Sequence, residues 1–199
     1  MSFLEIQTQT GWGGVLRGFA EWCQPQAGWL TLDVGCGPGL LPALLADYGC
    51  RAFGADLDAA ALAQPLHPTL VQAQVVGLPF PEGVFHLVTA SNLLFFLPDP
   101  EAALLEMRRL VRPDGWVALL NPSERMSIPV ATEFADRRGL VGLDRLSLLD
   151  WAARAQAHHR WDEDGLAALF AAAGLSLLES ALKFGPGLAR LARGRRSGI

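Results

Sequence analysis

A glycine-rich segment contains the residues best suited to bind a small ligand, Leu32-Asp33-Val34-Gly35-Cys36-Gly37-Pro38-Gly39. Glycines between a strand and a helix let the backbone approach a ligand closely, and they expose the amides of the helix N-terminus. The dinucleotide-binding pattern G-x-G-x-x-G would require a third glycine at position 40, where Leu40 stands. The acidic residue two positions before Gly35 instead suits a ligand that carries a positive amine.

Further motifs follow this loop in order along the chain. They are Gly54-Ala55-Asp56-Leu57-Asp58, Leu78-Pro79-Phe80, Phe85-His86-Leu87-Val88, Leu97-Pro98-Asp99-Pro100, the segment from Glu106 to Trp116, and Gly174. With these motifs the chain resembles the class I S-adenosylmethionine-dependent methyltransferases. Within that class it is similar to the small bacterial type that includes the quinone-biosynthesis methyltransferases. The resemblance extends over residues 30–193, and it implies a Rossmann-like α/β fold and S-adenosyl-L-methionine as cofactor.

The resemblance also implies which residues bind the cofactor: Asp33, Gly35, Cys36, Gly37, Asp56, Leu57, Gln74, Val75 and Ser91. Gly35 and Gly37 would lie against its methionine part and ribose. Asp33 would hold the amino group through water. The carboxylate of Asp56 would accept both ribose hydroxyls, and Leu57 would pack on the adenine.

Two residues depart from the pattern of that family. Gln74 stands where an acid often receives the adenine amino group, although its carbonyl oxygen can still accept a hydrogen bond. His86 stands where an aspartate is common, at the start of a predicted strand, and it is interpreted as a structural substitution.

The residues after the fourth predicted strand are candidates for the substrate pocket. They are Asn92, Phe95 and Phe96, and Trp12 and Trp151 are added as aromatic residues of a lid. Phenylalanines here would favour an acceptor that is apolar nearby. An alternative of equal weight has both phenylalanines packing under the helix that begins at Asp99, and both tryptophans also fit the apolar faces of their own helices.

The catalytic residue is left unknown, because a general base is needed only for an acceptor that is protonated at neutral pH. His158 and His159 are weak candidates for such a base, with Asp150 and Glu133 as acidic alternatives. Adjacent histidines on a helix point about 100° apart, so they cannot share a metal ion. No metal site is predicted.

Short apolar runs alternate with helical patterns as far as residue 120, which predicts βαβ units and a mainly parallel sheet. Strands are predicted at 29–34, 52–55, 70–76, 84–90 and 116–120, and a terminal antiparallel hairpin at 176–183 and 188–193. Asp58 and Asp99 are predicted to cap helices. Together with the resemblance, this gives one domain over residues 1–199. It contains a seven-stranded mixed sheet with helices on both faces, and a helical lid insertion at about 122–160.

The composition indicates the cellular compartment of this domain and the kinds of partner that it can bind. Of the 199 residues, 51% are hydrophobic, yet no apolar run reaches the ~20 residues of a membrane span, and the N-terminus lacks the basic region of a signal peptide. The cysteine count of 3, without C-x-x-C spacing, fits free thiols in the cytoplasm. The net charge of −4 argues against nucleic-acid binding, and the C-terminal arginines are interpreted as a solvated tail.

The predicted function is in-line methyl transfer from S-adenosyl-L-methionine to a small, partly apolar molecule, by a monomer or a homodimer. One alternative is a non-catalytic protein that binds the same cofactor or a partner protein, because Gln74 departs from the family and no base is obvious. A less favoured alternative is an NAD-dependent oxidoreductase, against which Leu40 and Asp33 argue.

Overall fold

The glycine-rich loop joins a buried strand to a helix in the computed structural model, which describes residues 2–196. The strands are β1 (Leu30–Val34), β2 (Arg51–Asp56), β3 (Leu70–Gln72), β4 (Phe85–Ser91), β5 (Val111–Pro122), β6 (Leu175–Lys183) and β7 (Ala189–Arg196). The helices are α1 (Phe3–Gln9), α2 (Trp12–Trp22), α3 (Leu40–Asp47), α4 (Pro100–Leu110), α5 (Ile128–Arg138), α6 (Gly142–Ala157) and α7 (Glu163–Ala172). Met1 and residues 197–199, which the predicted domain includes, lie outside the described residues.

The strands form a seven-stranded sheet in the order β3-β2-β1-β4-β5-β7-β6. Strands β1 to β5 are parallel, and β7 runs antiparallel between β5 and β6. The predicted mixed sheet and its terminal hairpin are thereby confirmed. The chain proceeds from β1 to one side of the sheet and returns to β4 on the other, so a crevice opens between the carboxyl ends of β1 and β4.

Helices cover both faces of the sheet, which accounts for the apolar composition. Neighbouring residues of β5 point to opposite faces: Val117 and Leu119 pack toward α4 and α7, while Ala118 and Leu120 pack toward α2 and α3. Parallel strands covered in this way must be apolar on both sides. No helix among residues 2–196 is long and apolar enough to cross a membrane.

Helices α5 and α6 lie between β5 and α7, within the segment predicted as a helical insertion. The hydroxyl of Ser127 accepts a hydrogen bond from the amide of Val130 at the start of α5, and Gly139, with φ of +62°, ends the helix. Both helices pack in a third apolar cluster with Phe95 and Leu188. This packing ties the insertion to the end of β4 and to the terminal hairpin.

Some predicted boundaries were wrong because local contacts override the apolar pattern. Strand β3 ends at Gln72, since only three of its residues pair with β2. In place of the helix predicted after Asp58 there is a single 3₁₀ turn, Ala61–Ala63, and the carboxylate of Asp58 accepts a hydrogen bond from the amide of Ala60 just before it. Helix α4 does begin as predicted, because the carboxylate of Asp99 accepts a hydrogen bond from the amide of Ala102 at 2.9 Å.

The C-terminal arginines do not form a solvated tail, so that interpretation was wrong. Arg190 and Arg193 lie in β7 and are only 7% and 8% exposed. Arg190 binds Glu124 at 2.7 Å, and Arg193 binds Glu179 at 2.6 Å. The guanidinium of Arg193 also lies over the rings of two tryptophans, Trp22 and Trp116. Paired in this way, the arginines can be buried. The pair of Arg190 links β7 to Glu124, which follows β5, whereas the pair of Arg193 lies within the terminal hairpin.

Candidate active site

A cavity of about 1020 Å³ opens at the carboxyl ends of β1, β2 and β4. Its wall includes many of the predicted site residues: Asp33, Gly35, Cys36, Gly37, Asp56, Ser91, Trp12, Asn92, Phe96 and Trp151. Helices α1, α5 and α6 complete the wall on the side away from the sheet. Ligand pockets usually measure about 300–1,000 Å³, so this cavity has room for more than one small molecule.

Asp33 places a buried carboxyl group at the base of this cavity, with 2% of its surface exposed. The hydroxyl of Thr89 donates a hydrogen bond to its Oδ1 at 2.8 Å. Burial raises the pKa of Asp33 to about 8; the Thr89 hydrogen bond opposes this shift, and the negative charge of Asp56 adds to it. A ligand cation beside the carboxyl group would favour its ionised form.

The loop after β1 presents its backbone to the cavity. Gly35 and Gly37 have φ of +73° and +54°, a region that side chains disfavour. A Cβ on Gly35 would lie 3.0 Å from Leu93, and one on Gly37 would lie 3.4 Å from Gln7. The amide of Gly35 donates to the carbonyl of Ala55 at 2.7 Å, which attaches the loop to β2. The two glycines therefore allow a ligand to contact the loop backbone directly.

Asp56, at the end of β2, is held in place by the same loop. Its Oδ2 accepts a hydrogen bond from the amide of Gly37 at 2.7 Å, and its Oδ1 accepts one from the amide of Asp58 at 2.9 Å. A carboxylate oxygen can accept more than one hydrogen bond. Both oxygens of Asp56 can therefore still receive hydroxyl groups of a ligand in a fixed orientation.

Aromatic side chains surround the opposite end of the cavity. Trp12 and Trp151 meet edge to face with centroids 5.0 Å apart, and Trp151 lies 6.2 Å from Phe184. Phe184 in turn lies 5.4 Å from Phe134. Phe134 and Phe184 were not predicted as site residues, because one lies in the insertion and the other in the hairpin turn, and neither belongs to a motif. Only folding brings these two residues together.

Asn92 connects the sheet to the insertion. The indole Nε1 of Trp151 donates a hydrogen bond to Oδ1 of Asn92 at 3.0 Å, and the backbone of Asn92 has φ of +53°. The backbone N–H of Asn92 donates a hydrogen bond to the carbonyl of Leu120 at 2.7 Å. An indole N–H can only donate, so Asn92 must direct its oxygen at Trp151. Its Nδ2 then remains available to a ligand in the cavity.

Four predicted site residues are not on the cavity wall. Leu57 is 62% exposed outside it, and Phe95 is fully buried in the third apolar cluster, behind Phe96. Gln74 and Val75 come after β3, which ends at Gln72 and is shorter than predicted, and Gln74 is exposed. The side-chain Nε2 of Gln72, rather than Gln74, reaches the segment after β2, where it donates a hydrogen bond to the carbonyl of Leu57 at 3.1 Å.

The histidine candidates for a base are also outside the wall. Helix α6 ends at Ala157, so His158 and His159 do not share a helix. His158 packs against Phe96, and His159 stacks on Trp161. His86 lies at the amino end of β4, the opposite edge of the sheet, where its Nδ1 accepts a hydrogen bond from the amide of Leu30 at 3.1 Å.

Among the acidic candidates, Asp150 lines the cavity and binds Arg154 at 2.7 Å. Glu133 pairs instead with Arg137 at 3.2 Å, away from the cavity wall. Within residues 2–196 there is no group of histidine, cysteine and acidic side chains arranged to hold a metal ion.

Helix α1 covers the glycine loop and was not predicted from the sequence. Gln7 Oε1 accepts a hydrogen bond from the amide of Leu40 at 3.3 Å, and Phe3 and Ile6 also line the cavity. A signal was present in the sequence: Ser2 and Glu5 form a capping box in which each side chain accepts a hydrogen bond from the backbone of the other.

Comparisons with known proteins address the same segment of the chain. Residues 32–119 match a family model described as a methyltransferase domain. A ubiquinone biosynthesis O-methyltransferase from Thiobacillus denitrificans is 36% identical over 103 residues, which are 47% of this chain and 44% of that protein. The chain therefore aligns with less than half the length of this curated relative.

Solved structures match over nearly the whole chain. The magnesium protoporphyrin IX methyltransferase of Synechocystis, solved with bound S-adenosylhomocysteine, superposes with a TM-score of 0.69 at 17% identity, covering 99% of this chain and 89% of that one. The chain has the class I methyltransferase fold. A second methyltransferase, from Mesorhizobium loti, has a TM-score of 0.66 at 20% identity and covers 91% of this chain and 100% of that one.

The predicted resemblance is confirmed by these matches. The family match begins at Leu32 and ends at Leu119, so it contains the glycine loop, Asp56 and Asn92. Helices α1, α2, α5 and α6 and the terminal hairpin lie outside the matched range. Helices α2, α5 and α6 and the hairpin turn supply the aromatic residues Trp12, Phe134, Trp151 and Phe184, so the matched range is joined here to cavity walls that the family match does not describe.

Proposed function

We propose that the protein is an S-adenosylmethionine-dependent methyltransferase that acts on a small, partly apolar molecule. The observation that carries this proposal is one cavity with two unlike ends. Asp33, the glycine loop and Asp56 lie at one end, and Trp12, Trp151 and Phe184 lie at the other. The first end suits a polar, cationic cofactor, and the second suits an apolar acceptor.

The residues present fit S-adenosyl-L-methionine. Asp33 is a buried carboxyl group on the cavity wall, able to compensate the charge of an ammonium group. The glycine loop presents its backbone to the cavity at Gly35 and Gly37, where positive φ angles disfavour residues with side chains. Asp56 is oriented to accept the hydrogen bonds of two adjacent hydroxyls, as a ribose provides.

The chemistry demands little of the protein beyond positioning. When bound, S-adenosyl-L-methionine supplies an electrophilic methyl group on a positively charged sulfur. The aromatic residues orient the acceptor for in-line attack and exclude water, and holding two reactants in line accelerates such a displacement. Asn92 Nδ2 can hold a polar atom of the acceptor near the end of β4. An acceptor that must lose a proton would use Asp150, the base candidate on the wall.

The same proposal treats α1, α5 and α6 as a lid on a single domain. These helices line the cavity, and Trp151 of α6 contacts Trp12 of the neighbouring helix α2. We place the activity in the cytoplasm, as a monomer or a homodimer. Cys23, Cys36 and Cys50 are free thiols, which is typical of a reducing compartment.

The proposal is tested by calorimetry with S-adenosylhomocysteine and NAD, followed by incubation of the protein with radiolabelled S-adenosylmethionine and a bacterial metabolite extract. We expect S-adenosylhomocysteine alone to bind and label to appear in a small organic-soluble product. Binding of NAD alone would identify an oxidoreductase. Tight binding of S-adenosylhomocysteine with no transfer to the extract would favour a non-catalytic binding protein.

A further inference from the structure

Arg138 is a cation on the cavity wall that has no partner. It lies in the last turn of α5, is exposed, and makes no hydrogen bond or ion pair within the described residues 2–196. Every other arginine of residues 122–160 has a partner. Arg125 pairs with Glu124 at 4.0 Å, Arg137 with Glu133 at 3.2 Å, Arg145 with Asp136 at 2.6 Å, Arg154 with Asp150 at 2.7 Å, and Arg160 with the carbonyl of Met126 at 2.7 Å.

The helix directs Arg138 to the same cavity as an aromatic ring. Phe134 and Arg138 are four residues apart, so they lie on one face of α5, and both line the cavity. Glu133 and Arg137 are also four residues apart, and they form an ion pair on a neighbouring face that is not on the wall. Adjacent arginines of one helix turn thus have different roles.

The acidic residues at this end of the cavity are already engaged. Asp144 accepts a hydrogen bond from the amide of Gly11 at 2.7 Å, and Asp150 binds Arg154. Neither pairs with Arg138. A guanidinium group can form two parallel hydrogen bonds to one carboxylate, which strengthens the pair and fixes its geometry.

We infer that the methyl acceptor is an apolar, ring-bearing acid whose anionic group binds Arg138. The rings would contact Phe134, Trp151 and Phe184, which are neighbours in the aromatic end of the cavity. This inference rests on the proposed function, and it narrows the acceptor from a partly apolar molecule to an anionic one.

The experiment compares a charged probe with a neutral probe of the same shape. Binding of 2-naphthoate and of 2-naphthamide is measured by calorimetry on the whole protein saturated with S-adenosylhomocysteine. The variants are R138Q and the matched control R137Q, which removes the neighbouring charge outside the cavity. We expect the wild type and R137Q to bind naphthoate at least about tenfold more tightly than naphthamide, the usual effect of a hydrogen bond to a charged group.

R138Q should bind the two probes equally while its affinity for S-adenosylhomocysteine is unchanged. Equal affinities in the wild type, a preference that survives in R138Q, or no naphthoate binding to the wild type would each overturn the inference. The proposed function is assessed separately by the titration with S-adenosylhomocysteine. Failure of that titration would refute the methyl-donor site, whereas loss of the naphthoate preference alone would refute only the anionic acceptor.

Discussion

Trp151 of helix α6 donates its indole N–H to the side-chain oxygen of Asn92, at the end of strand β4, across 3.0 Å. This bond joins the insertion to the edge of the sheet where ligands bind in open α/β folds. It also orients the Asn92 amide toward the cavity. The position of Asn92 on the cavity wall and the position of helix α6 are therefore coupled through one hydrogen bond.

Replacing Trp151 with phenylalanine should weaken acceptor binding without removing the cofactor site. The ring keeps most of its apolar contacts, but Asn92 loses its partner and the free energy of unfolding falls by about 1 kcal/mol. We expect the KM for the acceptor to rise several-fold while the Kd for S-adenosylhomocysteine stays within twofold, roughly the scatter of an unaffected site. Steady-state kinetics and calorimetry measure the two quantities.

The matched control for this prediction is Trp29→Phe, at the amino end of the sheet. Trp29 stacks on His86 with centroids 5.9 Å apart, far along the strands from the cavity edge. This variant should leave both constants unchanged. Equal effects of the two substitutions on the acceptor KM would show that the Trp151–Asn92 bond has no particular role.

Asp56→Ala should abolish binding of S-adenosylhomocysteine. Two hydrogen bonds to a charged group would be lost, so we expect an affinity at least about 100-fold lower. Asp58→Ala provides the control, because Asp58 only caps the following turn through the amide of Ala60. Circular dichroism establishes that both variants fold. Full affinity in a folded Asp56→Ala protein would refute the assigned role.

Binding of S-adenosylhomocysteine at pH 7 should release about one proton from Asp33. Burial raises the pKa of this carboxyl group to about 8, so it is mostly protonated in the free protein at pH 7. The ligand's ammonium group would lower that pKa and expel the proton. Calorimetry in buffers of different ionisation enthalpy measures the release, and Asp33→Asn should show none. Equal release by the two proteins would exclude Asp33 as the source.

The same carboxyl group should make the free protein less stable as pH rises. Its folded pKa of about 8 exceeds its unfolded value, so the folded state binds the extra proton between these values. The free energy of unfolding should therefore fall by up to about 1.4 kcal/mol per pH unit between roughly pH 4 and pH 8. Asp33→Asn should lack this part of the decrease. Urea unfolding at pH 5 and pH 8 tests the difference, and parallel curves for both proteins would contradict it.

Much of the fold could be predicted from local sequence, because the signals are short-range. The apolar run before the loop predicts β1, and Asp99 with Pro100 predicts the start of α4 through a side-chain cap that needs no distant partner. Gly35 and Gly37 stand where the backbone of the loop adopts positive φ angles, and this local requirement can be inferred from the spacing of the glycines. The end of β3 was misjudged, since strand length depends on pairing with a neighbour and not on hydrophobicity alone.

The candidate site also contains residues that local motifs predict and residues that only packing brings to the cavity. Residues Asp33, Gly35, Gly37 and Asp56 could be named from sequence because they belong to contiguous motifs at strand ends. Phe134, Arg138 and Phe184 carry no such motif, and Phe95 could not be distinguished from Phe96 by pattern. Whether each of these side chains reaches the cavity depends on how α5 and the hairpin pack against the sheet.

By itself, the sequence determined the order of the strands along the chain, the glycines of the loop and the carboxyl groups near the carboxyl ends of β1 and β2. Only the tertiary structure decided which side chains share the cavity. It also set the charge of Asp33, whose raised pKa comes from burial, and left Arg138 without an acidic partner. The physical reason is that desolvation and ion pairing depend on distances between residues far apart in the chain. Those distances exist only once the chain has packed.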